Sequence, residues 1–235
     1  MRNTYLEKPN AHPERHRRLL YGRRKGPKLR ARQAELLETL LPELTLHLET
    51  SRDPREYFPK PVSDVWLEIG FGAGEHLLEL ARQHPDVGLI GAEPFVNGVA
   101  KLLSKLQPGD GANIRIHMGD ARDIVEALLD ASLGRVMILF PDPWPKTRHH
   151  KRRFIQTEAL DALARAMKPG AELRFATDDP GHLAWALERL CAHPAFAWTA
   201  RRAEDWRRRP ADWPVSRYET KAIRGVPNYF TFLRR

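Results

Sequence analysis

The sequence predicts an α/β fold: a mostly parallel seven-stranded sheet with an antiparallel hairpin at one edge, preceded by a basic N-terminal arm and a helix. Two observations predict it. From Asp64 onward, short apolar runs alternate five times with helical stretches, the pattern of a parallel sheet covered on both faces. Two late β-rich segments, at 196–199 and 229–233, then follow with no helix expected between them.

The elements follow in order. Residues 1–31 form an arm, because His12-Pro13, Tyr21-Gly22 and Gly26-Pro27 interrupt any helix. An amphipathic helix spans 32–48, with Leu36, Leu37, Leu40, Leu41 and Leu44 on one side and Pro42 as a kink. A loop rich in proline and charge covers 51–61. Strands are expected at 65–69, 89–93, 114–118, 135–140 and 172–176. Helices are expected at 75–84, 96–106, 121–130, 154–167 (stopped by Pro169-Gly170) and 182–190. The domain division is therefore an arm at 1–31 and one domain at 32–235.

Composition narrows the class. The longest apolar runs, such as 136–140, are far too short to cross a bilayer, and Met1-Arg2-Asn3-Thr4 lacks the apolar core of a secretory signal. A cytoplasmic location is expected. Cys191 is the single cysteine, which excludes an intrachain disulfide and a cysteine-based zinc site; it is expected partly buried late in a helix. Residues 1–32 hold 11 of the 39 Lys and Arg but only 2 of the 30 Asp and Glu, so the whole net charge of +9 resides there. A basic arm on a neutral body suits a polyanion partner.

Ligands in such sheets bind at the carboxyl ends of the strands. After the first strand comes Glu68-Ile69-Gly70-Phe71-Gly72-Ala73-Gly74-Glu75, a Gly-x-Gly-x-Gly loop. A dinucleotide fingerprint needs Gly-x-Gly-x-x-Gly, and its third glycine falls on Glu75, where a carboxylate would oppose a pyrophosphate. S-adenosylmethionine carries no phosphate, so the spacing favours it over a nicotinamide cofactor. Glu93 ends the second strand, placed to accept both ribose hydroxyl protons of an adenosine. Asp120 follows the third strand and is either a helix N-cap or an acceptor for the adenine amino group. Glu68 holds either the glycine loop or the methionyl ammonium.

On the substrate side, Phe140-Pro141-Asp142-Pro143-Trp144-Pro145-Lys146 follows the fourth strand, and its prolines predict a rigid, extended loop. Asp142 can accept from the N1 and exocyclic amine of guanine, Trp144 offers a stacking face, and Lys146 can meet phosphate. With His149-His150-Lys151-Arg152-Arg153 it makes residues 146–153 a second basic patch; no carboxylate or cysteine stands at ligand spacing, so no metal is expected. In Thr177-Asp178-Asp179, one aspartate faces the substrate while the other caps the next helix. The loop Trp213-Pro214-Val215-Ser216-Arg217-Tyr218-Glu219 mixes groups suited to a nucleotide clamp.

Together these motifs resemble the bacterial tRNA guanine-N7 methyltransferases, over about residues 17–235. The proline loop carries the most specific part of the likeness. The resemblance implies a class I (Rossmann-like) methyltransferase fold, S-adenosylmethionine as methyl donor, and methylation of a guanine N7 in the variable loop of tRNA. It implies that Glu68, Glu93, Asp120 and Asp142 line the cofactor pocket with Gly70, Gly72 and Gly74, Asp142 being the catalytic candidate. It likewise implies that Lys146, Asp178, Ser216, Arg217, Tyr218 and Glu219 bind substrate. The family usually has threonine at the position of Ser216 and often phenylalanine at that of Tyr218, and residues 220–225 depart from its commoner form. A methyltransferase for another RNA base, a nicotinamide-dependent oxidoreductase and a noncatalytic RNA-binding protein remain as alternatives.

Overall fold

The computed structural model describes residues 20–49, 52–215, 219 and 224–235. Seven strands form one sheet: β1 (Asp64–Ile69), β2 (Val87–Ala92), β3 (Ile114–His117), β4 (Leu133–Leu139), β5 (Met167–Thr177), β6 (Phe196–Trp198) and β7 (Asn228–Arg234). Their order across the sheet is β3-β2-β1-β4-β5-β7-β6. The first five run parallel, and β7 lies antiparallel between β5 and β6. The order reverses beside β1, so the carboxyl ends of β1 and β4 flank the switch point where a ligand crevice opens.

Helices cover both faces. Against one lie α1 (Ala31–Thr39), α2 (Leu41–Leu44), α3 (Glu75–Gln83) and α4 (Val96–Leu103), which bury Leu37, Leu41, Leu77, Leu80, Val99 and Leu102 beside Trp66 and Leu89. Against the other lie α5 (Ala121–Ala127), α6 (Thr157–Ala166) and α7 (Pro180–Ala192), burying Ile124, Leu160, Leu163, Ala186 and Leu190 against Val65, Leu67, Val136 and Phe175. The central strands β1, β2, β4 and β5 send side chains into both cores, as a sheet covered on both faces requires.

Four expectations need correction. The helix expected over 32–48 ends at Thr39; Pro42, which has no N–H, starts the separate short helix α2. Thr45 and Leu46 then run beside β3, with Leu46 N donating to Ile116 O (2.8 Å), so this segment blunts the sheet edge. Second, β5 begins at Met167 rather than at 172, directly after α6 ends at Ala166, so Pro169-Gly170 lies inside the strand instead of stopping the helix. Opposite them the β4–β5 register jumps from Leu133↔Met167 to Arg135↔Glu172, a bulge in which Gly170 takes φ +79°. Third, the β6–β7 connection contains a helix, α8 (Glu204–Arg207). Fourth, Cys191 is exposed on α7. Among the described residues, no helix is long and apolar enough to cross a membrane.

Candidate active site

The glycine loop turns sharply out of β1. Gly70, Gly72 and Gly74 have φ of +75°, +59° and +74°, values that L side chains rarely adopt. A β-carbon on Gly70 would meet nothing within 4 Å, so this corner faces open space. One on Gly74 would come within 2.6 Å of Leu102, which fits α3 tightly against α4. Lys105 secures the loop from outside: its ammonium donates to Ala73 O (2.7 Å) and pairs with Glu75 (2.5 Å). Glu75 stands in the first turn of α3, where its carboxylate opposes a pyrophosphate.

Glu93 follows β2 and is buried. Its Oε2 accepts from Gly72 N (2.7 Å) and its Oε1 from Phe95 N (2.9 Å), so one carboxylate joins the glycine loop to the turn that starts α4. Burial pushes its pKa up to about 7; the two backbone donors oppose the rise, and the nearby Asp142 and Glu68 charges add to it. The sheet order places the ends of β2, β1 and β4 side by side, which is why these three carboxylates sense one another. Glu68 is buried as well and meets His76 Nδ1 at 2.9 Å. His76, in the first turn of α3, carries no motif signal; its place on an otherwise apolar helix face is the only hint of it in the sequence.

Asp120 resolves as the N-cap of α5, accepting from Arg122 N (3.0 Å) and pairing with the Arg122 guanidinium. The capping role is therefore observed, and the adenine role belongs to the functional proposal below.

The proline loop is not simply extended. Phe140 and Trp144 take left-handed φ of +49° and +45°, so two strained corners bracket Pro141-Asp142-Pro143. Such corners cost about 1–3 kcal/mol each in non-glycine residues and persist where the surroundings enforce them. Here the surroundings are visible. Phe140 N donates to Ala176 O (2.8 Å), and the buried Arg153 donates from Nε to Pro143 O (2.8 Å) and from Nη1 to Gly181 O (3.3 Å). The result is an exposed Asp142 on a braced loop.

This alters the expected basic patch at 146–153. Arg153 faces inward, and Arg152 lies between the rings of Tyr21 (4.7 Å) and Trp144 (4.9 Å), so part of the Trp144 stacking face is taken. Lys146, Arg148 and Lys151 stay exposed. Among the described residues, no cluster of His, Cys, Asp or Glu could hold a metal ion.

Asp179 caps α7 by accepting from His182 N (2.8 Å), so Asp178 is the aspartate of the pair without the capping role. Asp178 accepts from Arg224 N (3.1 Å). Glu219 accepts from Arg209 Nε (3.0 Å) and from the Tyr229 hydroxyl, whose pKa burial and Glu219 both raise. Ser216, Arg217 and Tyr218 lie outside the described residues.

The arm contributes to the same corner, which nothing in the sequence signals. Arg24 O accepts from Val96 N (3.0 Å), Asn97 Oδ1 accepts from Gly26 N (2.6 Å), and Asn97 Nδ2 donates to Pro27 O (2.8 Å). Residues 21–27 thus run along the turn that holds Glu93, from the start of α4 across to Arg152.

Comparison with known proteins agrees with this geometry. Residues 63–230 match a family model described as "Putative methyltransferase". Two solved structures share the fold: the 16S rRNA methyltransferase KamB (TM-score 0.50, 16% identity, 74% of this chain and 89% of that one) and a 16S rRNA (adenine(1408)-N(1))-methyltransferase from Catenulisporales acidiphilia (0.51, 15%, 74% and 88%). The sheet is accordingly that of a class I methyltransferase. Much closer in sequence are proteins named tRNA (guanine-N(7)-)-methyltransferase. That of Rhodospirillum rubrum is 53% identical, over 92% of this chain and 87% of its own length. That of Paramagnetospirillum magneticum is 50% identical, over 98% of both. At this identity and coverage, the chain belongs to the tRNA (guanine-N(7)-)-methyltransferase family.

Proposed function

We propose that this enzyme transfers a methyl group from S-adenosylmethionine to N7 of a guanine in the variable loop of tRNA, acting in the cytoplasm. The observation that carries this reading is the Asp142 carboxylate, exposed on a braced loop at the end of β4 and electrostatically coupled to the buried Glu93.

The residues fit an adenosine-based donor. Gly70 leaves open space beside the loop, Glu93 has lone pairs beyond those its backbone donors use, and Glu75 disfavours a phosphate. In this reading Glu93 accepts from the ribose hydroxyls and Asp120 from the adenine amino group. Glu68, oriented by His76, receives the methionyl ammonium. When bound, the donor supplies a methyl carbon already activated by a sulfonium.

Guanine N7 has a lone pair and no proton, so the protein needs no general base to expose the nucleophile. Its work is to orient the base. Asp142 accepts from N1–H and the exocyclic amine, and its fixed negative charge stabilises the positive charge that the purine ring gains. Lys146, Asp178, Glu219, Ser216, Arg217 and Tyr218 hold the surrounding nucleotides; Asp178 also ties residues 224–225 to the substrate rim.

The test is to titrate S-adenosylmethionine and NAD separately, then to follow label from a methyl-labelled donor into unmodified tRNA. Tight binding of the methyl donor alone, with label recovered in tRNA, is expected. NAD binding without label transfer would sink the proposal and favour the oxidoreductase alternative.

The acidity of Glu93 adds a prediction. Below pH 7 the free enzyme holds Glu93 mostly protonated. Hydroxyl donors favour the anion, so cofactor binding should release a proton near neutral pH, and affinity should rise between about pH 6 and pH 8. Calorimetry in two buffers of different ionisation enthalpy reads that proton directly. Glu93→Gln should abolish both the release and the pH dependence; identical pH profiles for the two proteins would remove Glu93 from the binding event.

A further inference from the structure

The β6–β7 connection carries a cationic surface that neither the arm nor the proline loop accounts for. β6 runs parallel to β5, so the chain leaves both strands toward the same end of the sheet, the end that bears Asp178 and Asp142. From there the connection climbs along β7. Thr199 N donates to Thr231 O (3.1 Å), Trp206 stacks on Phe230 (6.0 Å), and Trp213 meets Tyr229 edge-on (5.8 Å). Phe230 lies two residues from Asn228, the partner of Thr177, a rise of about 7 Å.

Five arginines lie on this climb, and the structure divides them. Arg209 turns inward to Glu219 and to Trp213 O. Arg202 pairs with Asp205, whose carboxylate also accepts from Arg201 N and Arg202 N. The side chains of Arg201, Arg207 and Arg208 are exposed and, among the described residues, form no ion pair. Arg207 is exposed and lies over the Trp206 ring (4.8 Å), which itself stacks on Phe230.

We propose that Arg201, Arg207 and Arg208 form a second RNA-binding surface that grips backbone phosphates of the substrate tRNA beyond the methylated nucleotide. The charge of the domain sums to nearly zero over residues 33–235 but is distributed unevenly, and this surface places unneutralised cations at the active-site end. Arg209 links it to Glu219, so a strand held at 201–208 leads into the clamp segment. The guanidinium fork suits phosphate oxygens, and a cluster of exposed cations is what neutralises a nucleic-acid backbone. The inference rests on tRNA being the substrate.

The test is a salt series of tRNA binding with the full chain, wild type against R201Q/R207Q/R208Q, with R201K/R207K/R208K and Lys60→Gln as controls. Lys60 is exposed four residues before β1, at the opposite end of the sheet. The glutamine triple variant should lower the log–log salt slope by about two, at roughly 0.7–0.9 for each phosphate no longer gripped. It should leave cofactor affinity and the single-turnover rate at saturating tRNA unchanged. The lysine variant and Lys60→Gln should keep the wild-type slope. A glutamine variant with the wild-type slope, or one whose line is merely displaced in parallel, overturns the surface. Wild-type protein with no tRNA affinity would instead fail the functional reading, taking the surface with it.

Discussion

Asp142→Asn is expected to lower the single-turnover rate on tRNA by on the order of 100- to 1000-fold, the range that follows removal of one fixed electrostatic partner from a developing charge. The substitution keeps the side chain's size and one acceptor oxygen. On the proposed mechanism it removes the negative charge that meets the cationic purine and turns an amide N–H₂ toward guanine's own donors. The loop should survive, because Phe140 N, Arg153 and the prolines brace it without using the Asp142 side chain. Cofactor affinity should change far less; indeed Glu93 loses one of the neighbouring charges that favour its protonated form. Rapid-quench measurement at saturating tRNA separates the two effects. A near-wild-type rate would take Asp142 out of the chemistry.

Removing the arm should have a two-stage outcome. Deleting residues 1–19 takes away Arg2, Lys8, Arg15, Arg17 and Arg18. It should weaken tRNA binding and flatten its salt dependence by roughly 0.7–0.9 in slope for each phosphate that loses its cation, while cofactor affinity holds. Extending the deletion through residue 31 also removes Arg23, Arg24, Lys25, Lys28 and Arg30. In addition it removes the backbone groups that meet Val96 and Asn97 on the turn carrying Glu93. That longer deletion should weaken S-adenosylmethionine binding too. Sequence alone suggests a pocket built wholly after Asp64, in which cofactor affinity would survive either deletion. Calorimetric titration of the two truncations decides: equal affinities would mean that residues 21–27 touch the corner without supporting it.

The difference between those expectations shows where the sequence is legible. The succession of strands can be read, and so can the positions of Glu93, Asp120, Asp142 and Asp178 shortly after strand ends, because apolar periodicity and glycine punctuation are local signals. The glycine loop, Glu93, Asp120 and the proline loop fall where the motifs put them. Long-range pairings are not legible. Nothing near Glu68 in sequence announces His76, nothing near Ala73 announces Lys105, and the reversal of Arg153 from member of a basic patch to internal brace depends on carbonyls of Pro143 and Gly181. A charge run reads alike whether its cations face solvent or the chain's own backbone. The misplaced start of β5 has a similar origin. Pro169-Gly170 reads as a stop signal, but the turn it makes is a bulge within β5, and the helix has already ended at Ala166.

Whether this site methylates N7 of a guanine in the tRNA variable loop is tested most directly by base-resolved mapping of the product. Unmodified tRNA is incubated with enzyme and S-adenosylmethionine, reduced with borohydride and treated with aniline, which cleaves the chain at N7-methylguanine. One strong cleavage at a variable-loop guanine, absent with Asp142→Asn, is the predicted result. Methyl label recovered on another base, or on the guanine amine with no cleavage, would contradict the account.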